Sequence, residues 1–364
     1  MNICIIGDGL TSLSFAKNLI NKKINVHIYE RKKKFLSSNR TIGISRDNFE
    51  FFKKGIQDIK KKNTWGIKKI EIYSEKLKID KIINFEKDKN NLFFMIKNDE
   101  LYKSLNSQLL KSKFFKKKII KNNNFYEKLL RENKYDLIIN CLTKNFIAKK
   151  YFLKTIDKNY NNLAYTTILK HKKLENNTAI QIFTKYGPIA FLPISDIETS
   201  VVYSLDSNKN RYNEKKVIDL IKKYNPKFVI KKIDKLDNFE LKLSNLRNYY
   251  YNNILAFGDC LHKIHPLAGQ GFNMTIRDIK VISEIIQNKI DLGIQLDSSI
   301  FKEFEKKTKH INFIFSNGVD SIFEFFNFDK KIKDQNLNKI LKLFGKNKTL
   351  NDLLVKCADR GLYI

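Results

Sequence analysis

The stretch from Asn2 to Glu30 does most to limit the fold. "NICIIG" is a short apolar run of strand type, "DGLTS" a turn, and "LSFAKNLINKK" carries Leu13, Ala16, Leu19 and Ile20 at helical spacing before a second strand, "INVHIYE". Strand, glycine turn, helix and strand in so short a span is the βαβ unit that holds dinucleotides. The turn reads Gly7-Asp8-Gly9-Leu10-Thr11-Ser12. Gly7 lets the chain turn tightly, and Gly9 lets backbone approach a pyrophosphate. The helix that starts there offers free N–H groups and a positive dipole end. Ser12 stands where a third glycine usually sits. Glu30 closes the second strand about 20 residues on, where a carboxylate accepts hydrogen bonds from an adenosine ribose. The competing reading is an ordinary tight turn with no ligand, and position alone does not separate FAD from NAD.

Composition narrows the classes. A chain of 364 residues, 42% of them hydrophobic, buries a proper core as one large domain or two intimate ones. The net charge of +32 comes from 70 Lys and Arg against 38 Asp and Glu. Those lysines spread along the whole chain, rising with Asn and Ile as a base-composition bias produces, and no zinc-finger or RRM signature accompanies them; nucleic acid is therefore not the expected partner. A basic face resting on an anionic membrane stays open. "MNICIIGDGL" lacks the basic start of a signal peptide, and no run of ~18 apolar residues occurs to span a bilayer. Cys4, Cys141, Cys260 and Cys357 lie far apart, a pattern of neither zinc site nor disulfide framework, so a reducing, cytoplasmic setting is expected.

The other dense segment is "GDCLHKIHPLAGQGFNMTIRD", Gly258 to Asp278. "NNILAFGD" is a buried strand running into Gly258-Asp259, "CLHKIHPLAGQG" a loop, and "FNMTIRDIKVISEIIQN" a helix starting near Asn273. Ile276, Ile279, Ile282, Ile285 and Ile286 line one face of that helix. His262 and His265 suggest a metal, but Pro266, Gly269 and Gly271 argue against a helix across the loop. No third ligand lies at suitable spacing. No metal is expected, and each imidazole reads as a loop hydrogen bonder.

Gly258-Asp259, His262, Pro266, Gly269-Gln270-Gly271-Phe272-Asn273 and Asp278 together resemble the second FAD motif of group A FAD-dependent aromatic monooxygenases, with Cys260 and Leu261 replacing two alanines. The form is most similar to the ubiquinone-biosynthesis ring hydroxylases. "RTIGIS" (Arg40 to Ser45) and "GPIAFLPI" (Gly187 to Ile194) resemble further family segments. The resemblance implies FAD held by Gly7, Gly9, Leu10, Thr11, Ser12, Glu30, Arg31, Arg40, Gly258, Asp259, Gly271, Phe272 and Asn273. It implies a catalytic loop of Pro266, Gly269, Gln270 and Gly271 facing the side where O2 reacts. The activity implied is hydroxylation of a polyprenyl phenol or quinol through a flavin hydroperoxide, with NADPH or NADH as donor. The lipid substrate implies peripheral contact with the inner membrane, or a place in a quinone-biosynthesis complex.

The resemblance fails at the family's third motif, an Asp-Gly pair with a Ser and an Arg after a mid-chain strand. After "YDLIIN" (Tyr135 to Asn140), Leu142 stands for the Asp and Thr143 for the Gly. Phe146 falls at the Ser position, and Lys149 stands in for the Arg. Electrons arriving from a partner protein, a FAD-binding accessory subunit, or another flavin oxidoreductase therefore stay open as alternatives.

The fold expected is α/β: a Rossmann-like FAD-binding domain of the glutathione-reductase type (1–70, 95–150 and 245–290) interwoven with an antiparallel-sheet substrate domain (71–94 and 151–244) and followed by a helical C-terminal tail (291–364). "LAYTTIL", "TAIQIFT", "IAFLPIS" and "TSVVYSL" are its central substrate-sheet strands. The oligomeric state is not legible.

Overall fold

The computed structural model describes residues 1–31, 39–75, 80–86, 90–120, 124–206, 212–264 and 270–331. The strand Asn2–Ile6 sits inside a six-stranded sheet, with Asn25–Glu30 and then Phe115–Ile119 on one side, and Leu137–Asn140, Ile254–Ala256 and Tyr250–Tyr251 on the other. Every pairing is parallel except the last, a hairpin. Ile3, Cys4, Ile5 and Ile6 are all buried, as a strand covered on both faces of a parallel sheet must be. Chain connections leave Asn2–Ile6 and Leu137–Asn140 in opposite directions. Their carboxyl ends therefore flank a switch-point crevice, the place where open α/β sheets bind ligands.

The helix Leu10–Asn21 packs on this sheet between Asn98–Leu110 and Gln270–Asp291. Phe15 stacks on Phe257 with ring centroids 4.8 Å apart, and Phe304 of the tail helix closes on Phe257 at 5.9 Å. Ile276, Ile279, Ile282, Ile285 and Ile286 are all buried in this core.

The second sheet runs His262–Lys263, Asp237–Leu246, Thr155–His171, Glu198–Asp206, Gly187–Pro193, Thr178–Thr184, Lys69–Ser74 and Asp80–Glu86, with Ile230–Ile233 also paired to the long strand. It is antiparallel apart from the Thr178–Thr184 and Lys69–Ser74 pair. Alternation along Thr155–His171 divides its residues between two faces. Tyr165 and Leu169 pack with Val217, Leu220 and Ile221 of the helix Glu214–Lys223. Ala164 and Thr166 face the other way, toward a small sheet of Thr41–Ser45, Phe93–Lys97 and Trp65–Ile67.

Three local expectations need correction. The helix of the second dense segment begins at Gln270, so Gln270 and Gly271 form its first turn rather than the end of a loop. His262–Lys263 is a short strand paired with Ser244 and Asn245, which carries part of the 245–290 segment into the second sheet. The strand read as "LAYTTIL" extends from Thr155 to His171, its first half bulged where Asn159 gives way to Leu163. The tail helix Ser299–Lys331 crosses back over both units. Asn312 donates to Asp278 (3.0 Å) and Ser316 to Asn245 (3.1 Å), while Lys158 and Tyr160 reach Asp320 at 2.9 and 2.6 Å. Among the described residues, no helix is long and apolar enough to cross a membrane.

Candidate functional site

The glycine turn lies at the switch-point crevice. Gly7 adopts φ +115°, a conformation that side chains oppose, and its N–H donates to Tyr29 O at 2.8 Å. Gly9 caps the helix Leu10–Asn21 with no side-chain hydrogen bond, so the first-turn N–H groups of Leu10, Thr11 and Ser12 have no cap to satisfy them. A Cβ added to Gly9 would meet nothing within 4 Å. The open space and unclaimed donors suit an anion, and the helix dipole adds to their pull.

Gly258 comes to the same place from the other dense segment. Its φ is +59°, and a Cβ there would lie 2.5 Å from Thr11 Cγ2. Phe257 N donates to Asn140 O at 2.9 Å, which fixes Gly258 at the end of the sheet. Asp259 follows in a short 3-10 turn, its side chain exposed and without a hydrogen-bond or ion-pair partner among the described residues. Gly7, Gly9, Leu10, Thr11, Ser12, Gly258 and Asp259 therefore gather at one crevice.

Leu142 completes that crevice. Its Cδ2 would stand 3.2 Å from a Cβ on Gly7, so an apolar side chain packs against the turn where the related motif has an acid. Asn140 donates to Leu142 O (3.0 Å) and to Cys260 Sγ (3.3 Å), and accepts from Asn145 at 2.7 Å. Asn145 in turn caps the helix Phe146–Tyr151 by accepting from Ala148 N. This amide pair holds the segment after the strand, and nothing in the residue spacing pointed to it. Burial pushes the thiols of Cys141 and Cys260 up to about 12.

Glu30 lies at the end of the second strand, but its carboxylate is engaged. Lys117 Nζ sits 2.9 Å away, and Asp8 shares a hydrogen bond with it. Burial and that bond to Asp8 raise the Glu30 carboxyl above its usual range, against the pull of Lys117. Asp8 also accepts from Tyr102 at 3.3 Å. An incoming ribose hydroxyl would share Glu30 with Lys117. Arg31 is exposed beside it.

A second cluster surrounds the start of the helix Gln270–Asp291. Asn273 is buried, and its side chain is spent on the protein. It accepts from Ser45 N (2.9 Å) and Asn48 Nδ2 (3.0 Å) and donates to Gly43 O (2.8 Å). It thereby ties "RTIGIS" to the helix instead of reaching outward. Gln270 accepts from Arg277 at 3.4 Å, and Arg277 lies 4.2 Å over the Phe315 ring of the tail helix. Phe272 is half-buried against the core, and a Cβ on Gly271 would come no closer than 4.0 Å to Ile264. His262 Nε2 and Asp278 Oδ2, both buried, stand 2.5 Å apart. His265, Pro266 and Gly269 lie outside the described residues. Among those described, no three His, Cys, Asp or Glu side chains gather as a metal requires.

Arg40 carries its guanidinium 4.5 Å over the Phe239 ring. It stands at the rim of a cavity of ≈ 110 Å³ between the small sheet and the second sheet, walled by Gly43, Phe93, Met95, Thr166 and Leu192 among others. Gly43 belongs both to this wall and to the Asn273 bond. The crevice offers a pyrophosphate the uncapped helix and the two positive-φ glycines, and Asn273 ties the start of the helix Gln270–Asp291 to the wall of the cavity through Gly43. These residues fit FAD.

Comparison with known proteins agrees. Residues 163–290 match the family model described as FAD binding domain. The chain is 24% identical over 241 residues to the ubiquinone biosynthesis monooxygenase COQ6 of Dictyostelium discoideum, covering 52% of this chain and 49% of that one. It is 27% identical over 146 residues to the 3-demethoxyubiquinol 3-hydroxylase of Escherichia coli K12, covering 38% and 37%. It thus spans about half the length, or less, of these curated relatives. The fold superposes on p-nitrophenol 4-monooxygenase PnpA of Pseudomonas putida (TM-score 0.75, 12% identity, 98% of this chain and 97% of that one). It also superposes on Klebsiella pneumoniae HpxO complexed with FAD and uric acid (TM-score 0.73, 10% identity, 99% and 96%). The chain has the fold of the FAD-dependent monooxygenases, and its sequence is similar to the ubiquinone-hydroxylase branch of the group A flavoprotein aromatic monooxygenases.

Proposed function

We propose that the chain is an FAD-dependent monooxygenase that hydroxylates the aromatic ring of a polyprenyl phenol or quinol in ubiquinone biosynthesis, with NADPH or NADH as donor. The observation that carries this is the double duty of Gly43. Its carbonyl is held by Asn273 at the start of the flavin-side helix, and its Cα walls the cavity where a ring fits. An apolar cavity of ~150 Å³ takes up a benzene ring, and ≈ 110 Å³ is of that order though smaller, which supports a guest of one ring with part of it at the mouth.

FAD, when bound, supplies the transfer of electrons to O2 and of one oxygen atom to the ring. The chain's part is to bind, orient and exclude water. The uncapped N–H groups of Leu10, Thr11 and Ser12 hold the pyrophosphate, and Glu30 with Arg31 the adenosine end. Gly258 and Asp259 hold the region between. The first turn of Gln270–Asp291 would offer the flavin ring its positive end, which suits negative charge there. Gln270 and Gly271, in the first turn of that helix, would face the oxygen side, the role that the resemblance also gives to Pro266 and Gly269 outside the described residues. Phe93, Met95, Leu192 and Phe239 keep the ring cavity dry.

Peripheral contact with an anionic inner membrane is part of the same reading. A groove of ≈ 540 Å³ between the tail helix and Asp237–Leu246 carries Arg247, Lys302, Lys306, Lys309 and His310, with Glu305 the acid among them. Ile156 and Phe313 project there half-exposed, which supports docking against a lipid headgroup layer.

The test is purification, a flavin absorbance spectrum, and anaerobic reduction by each nicotinamide with and without a short-chain prenylphenol, followed by O2 and mass analysis of the product. Incorporation of one oxygen from labelled O2 is the expected result; absence of bound flavin overturns the proposal. Leu142 against the Gly7 turn favours a second reading, a partner-fed or accessory FAD subunit. Flavin that binds but that neither nicotinamide reduces would select it.

A further inference from the structure

We propose that Thr166 is the polar anchor for the aromatic substrate, its hydroxyl meeting an oxygen substituent of the ring bound in the cavity between the two sheets. The inference rests on the reading of that cavity as the ring site. Thr166 lies in mid-sheet, opposite Val202 on one neighbouring strand and Asp237 on the other. Its side chain is 4% exposed and lines the cavity. Its Oγ1 has no hydrogen-bond partner among the described residues.

That vacancy sets it apart from its neighbours. Thr167, the next residue, donates to Asp234 O at 2.7 Å. Thr184 donates to Gly187 O at 2.7 Å, and Thr199 Oγ1 bonds His171 and Asn176. Thr41 donates to Ser200 Oγ at 2.8 Å on the wall of the same cavity. Each of these hydroxyls is explained by the fold. The one on Thr166 is not, and a strand does not need it: valine has the same branched shape and suits a sheet as well. A buried hydroxyl without a partner opposes folding. Keeping one in a ring-sized space is accounted for when a ligand supplies the partner.

A threonine hydroxyl both donates and accepts. It can accept a hydrogen bond from a phenol or donate one to a quinone or phenolate oxygen, so the anchor serves ring substrates bearing oxygen and discriminates against hydrocarbon rings of equal shape. Phe93, Met95, Ala190, Leu192, Val202 and Phe239 make most of the wall apolar, and the other two hydroxyls on it, Thr41 and Ser200, are bonded to each other. Arg40 at the rim adds a positive charge that favours electron density on the ring oxygen.

The experiment compares the FAD-loaded wild type with Thr166→Val and Thr166→Ser. Binding of para-cresol and para-xylene, matched in shape, is read from perturbation of the flavin absorbance, and melting is measured without ligand. We expect Thr166→Val to retain flavin, to melt at or above the wild-type temperature, to bind para-cresol about 5–10-fold more weakly, and to bind para-xylene unchanged. Thr166→Ser should restore para-cresol binding. Equal para-cresol affinity in wild type and Thr166→Val overturns the proposal. So does a Thr166→Val that melts lower or fails to fold, since the hydroxyl would then be structural. A flavin-loaded wild type that binds neither probe overturns the ring-site reading, and the anchor with it.

Discussion

Replacing Gly258 with alanine probes the contact on which the candidate cofactor site depends. At φ +59° a Cβ costs about 1 kcal/mol in the left-handed region. The same Cβ would stand 2.5 Å from Thr11 Cγ2 and 3.0 Å from Thr11 Oγ1. Thr11 must leave its rotamer or the helix must shift, for about 2 kcal/mol more. The total of about 3 kcal/mol, set against an unfolding entropy of about 0.8 kcal/mol per degree for 364 residues, lowers the melting temperature by about 4 °C. Adding Thr11→Ala removes Cγ2 and Oγ1, leaving only the Thr11 Cβ at 3.2 Å, and should return most of that loss, by about the size of the clash. FAD affinity behaves differently. The methyl group at 258 still faces the crevice, so flavin titration should show weakened binding in both the single and the double variant. Calorimetry with matched flavin titrations decides it. If the double variant melts as low as Gly258→Ala, Thr11 is not what the Cβ meets. If it regains full FAD affinity, Gly258 does not face the cofactor.

Other perturbations give equally direct outcomes. Asn273→Ala removes the side chain that bonds Gly43 O, Ser45 N and Asn48 Nδ2, and should cost about 3 kcal/mol in urea unfolding while loosening the cavity wall. FAD binding should weaken as pH falls through the raised Glu30 value. The protonated carboxyl accepts ribose hydrogen bonds poorly, so binding displaces a proton and affinity rises with pH over that range; Glu30→Gln should flatten the dependence measured by flavin titration. The double change Lys302→Glu with Lys306→Glu should abolish most sedimentation with anionic vesicles and leave flavin content untouched; unchanged sedimentation would move the membrane contact elsewhere. Cys141 and Cys260, both pushed up to about 12, should resist alkylation at neutral pH in the folded protein and react once it unfolds, as peptide mass mapping would show.

Much of the fold was legible because its signals are local. The βαβ unit announces itself through an apolar strand, a glycine turn and a helical stripe within one short span. The four sheet strands stand out as largely apolar runs between polar turns, and the isoleucine stripe of the second segment lies buried as its period required. Local patterns could not show which distant groups would claim a side chain. Asn273 looks like a cofactor contact in its motif, yet its amide is consumed by Gly43, Ser45 and Asn48. Glu30 looks free at a strand end, yet Lys117 and Asp8 surround it. Asn140 and Asn145 carry no motif signal, because their roles depend on what the chain brings to Leu142 and Cys260. Thr166 reads as one more β-branched strand residue. Only the absence of a partner, a property of packing, distinguishes it.

The contact between Thr11 and Gly258 also bears on how the protein is made. Asn2–Ile6 is flanked by Leu137–Asn140, which is flanked by Ile254–Ala256, so the sheet that carries the glycine turn closes only when the later segments arrive. At ribosomal rates of about 5–20 residues per second, the first strand waits roughly 10–50 s for Ile254–Ala256 to be synthesised. Until Leu137–Asn140 follows, about the first half of that interval, Ile3, Ile5 and Ile6 lie in an apolar strand with a partner on one side only, a surface suited to a holdase chaperone. No N-terminal fragment ending before Gly258 can assemble the crevice. Cofactor loading therefore follows synthesis of most of the chain, and flavin supply in the cell becomes a determinant of how much newly made protein survives.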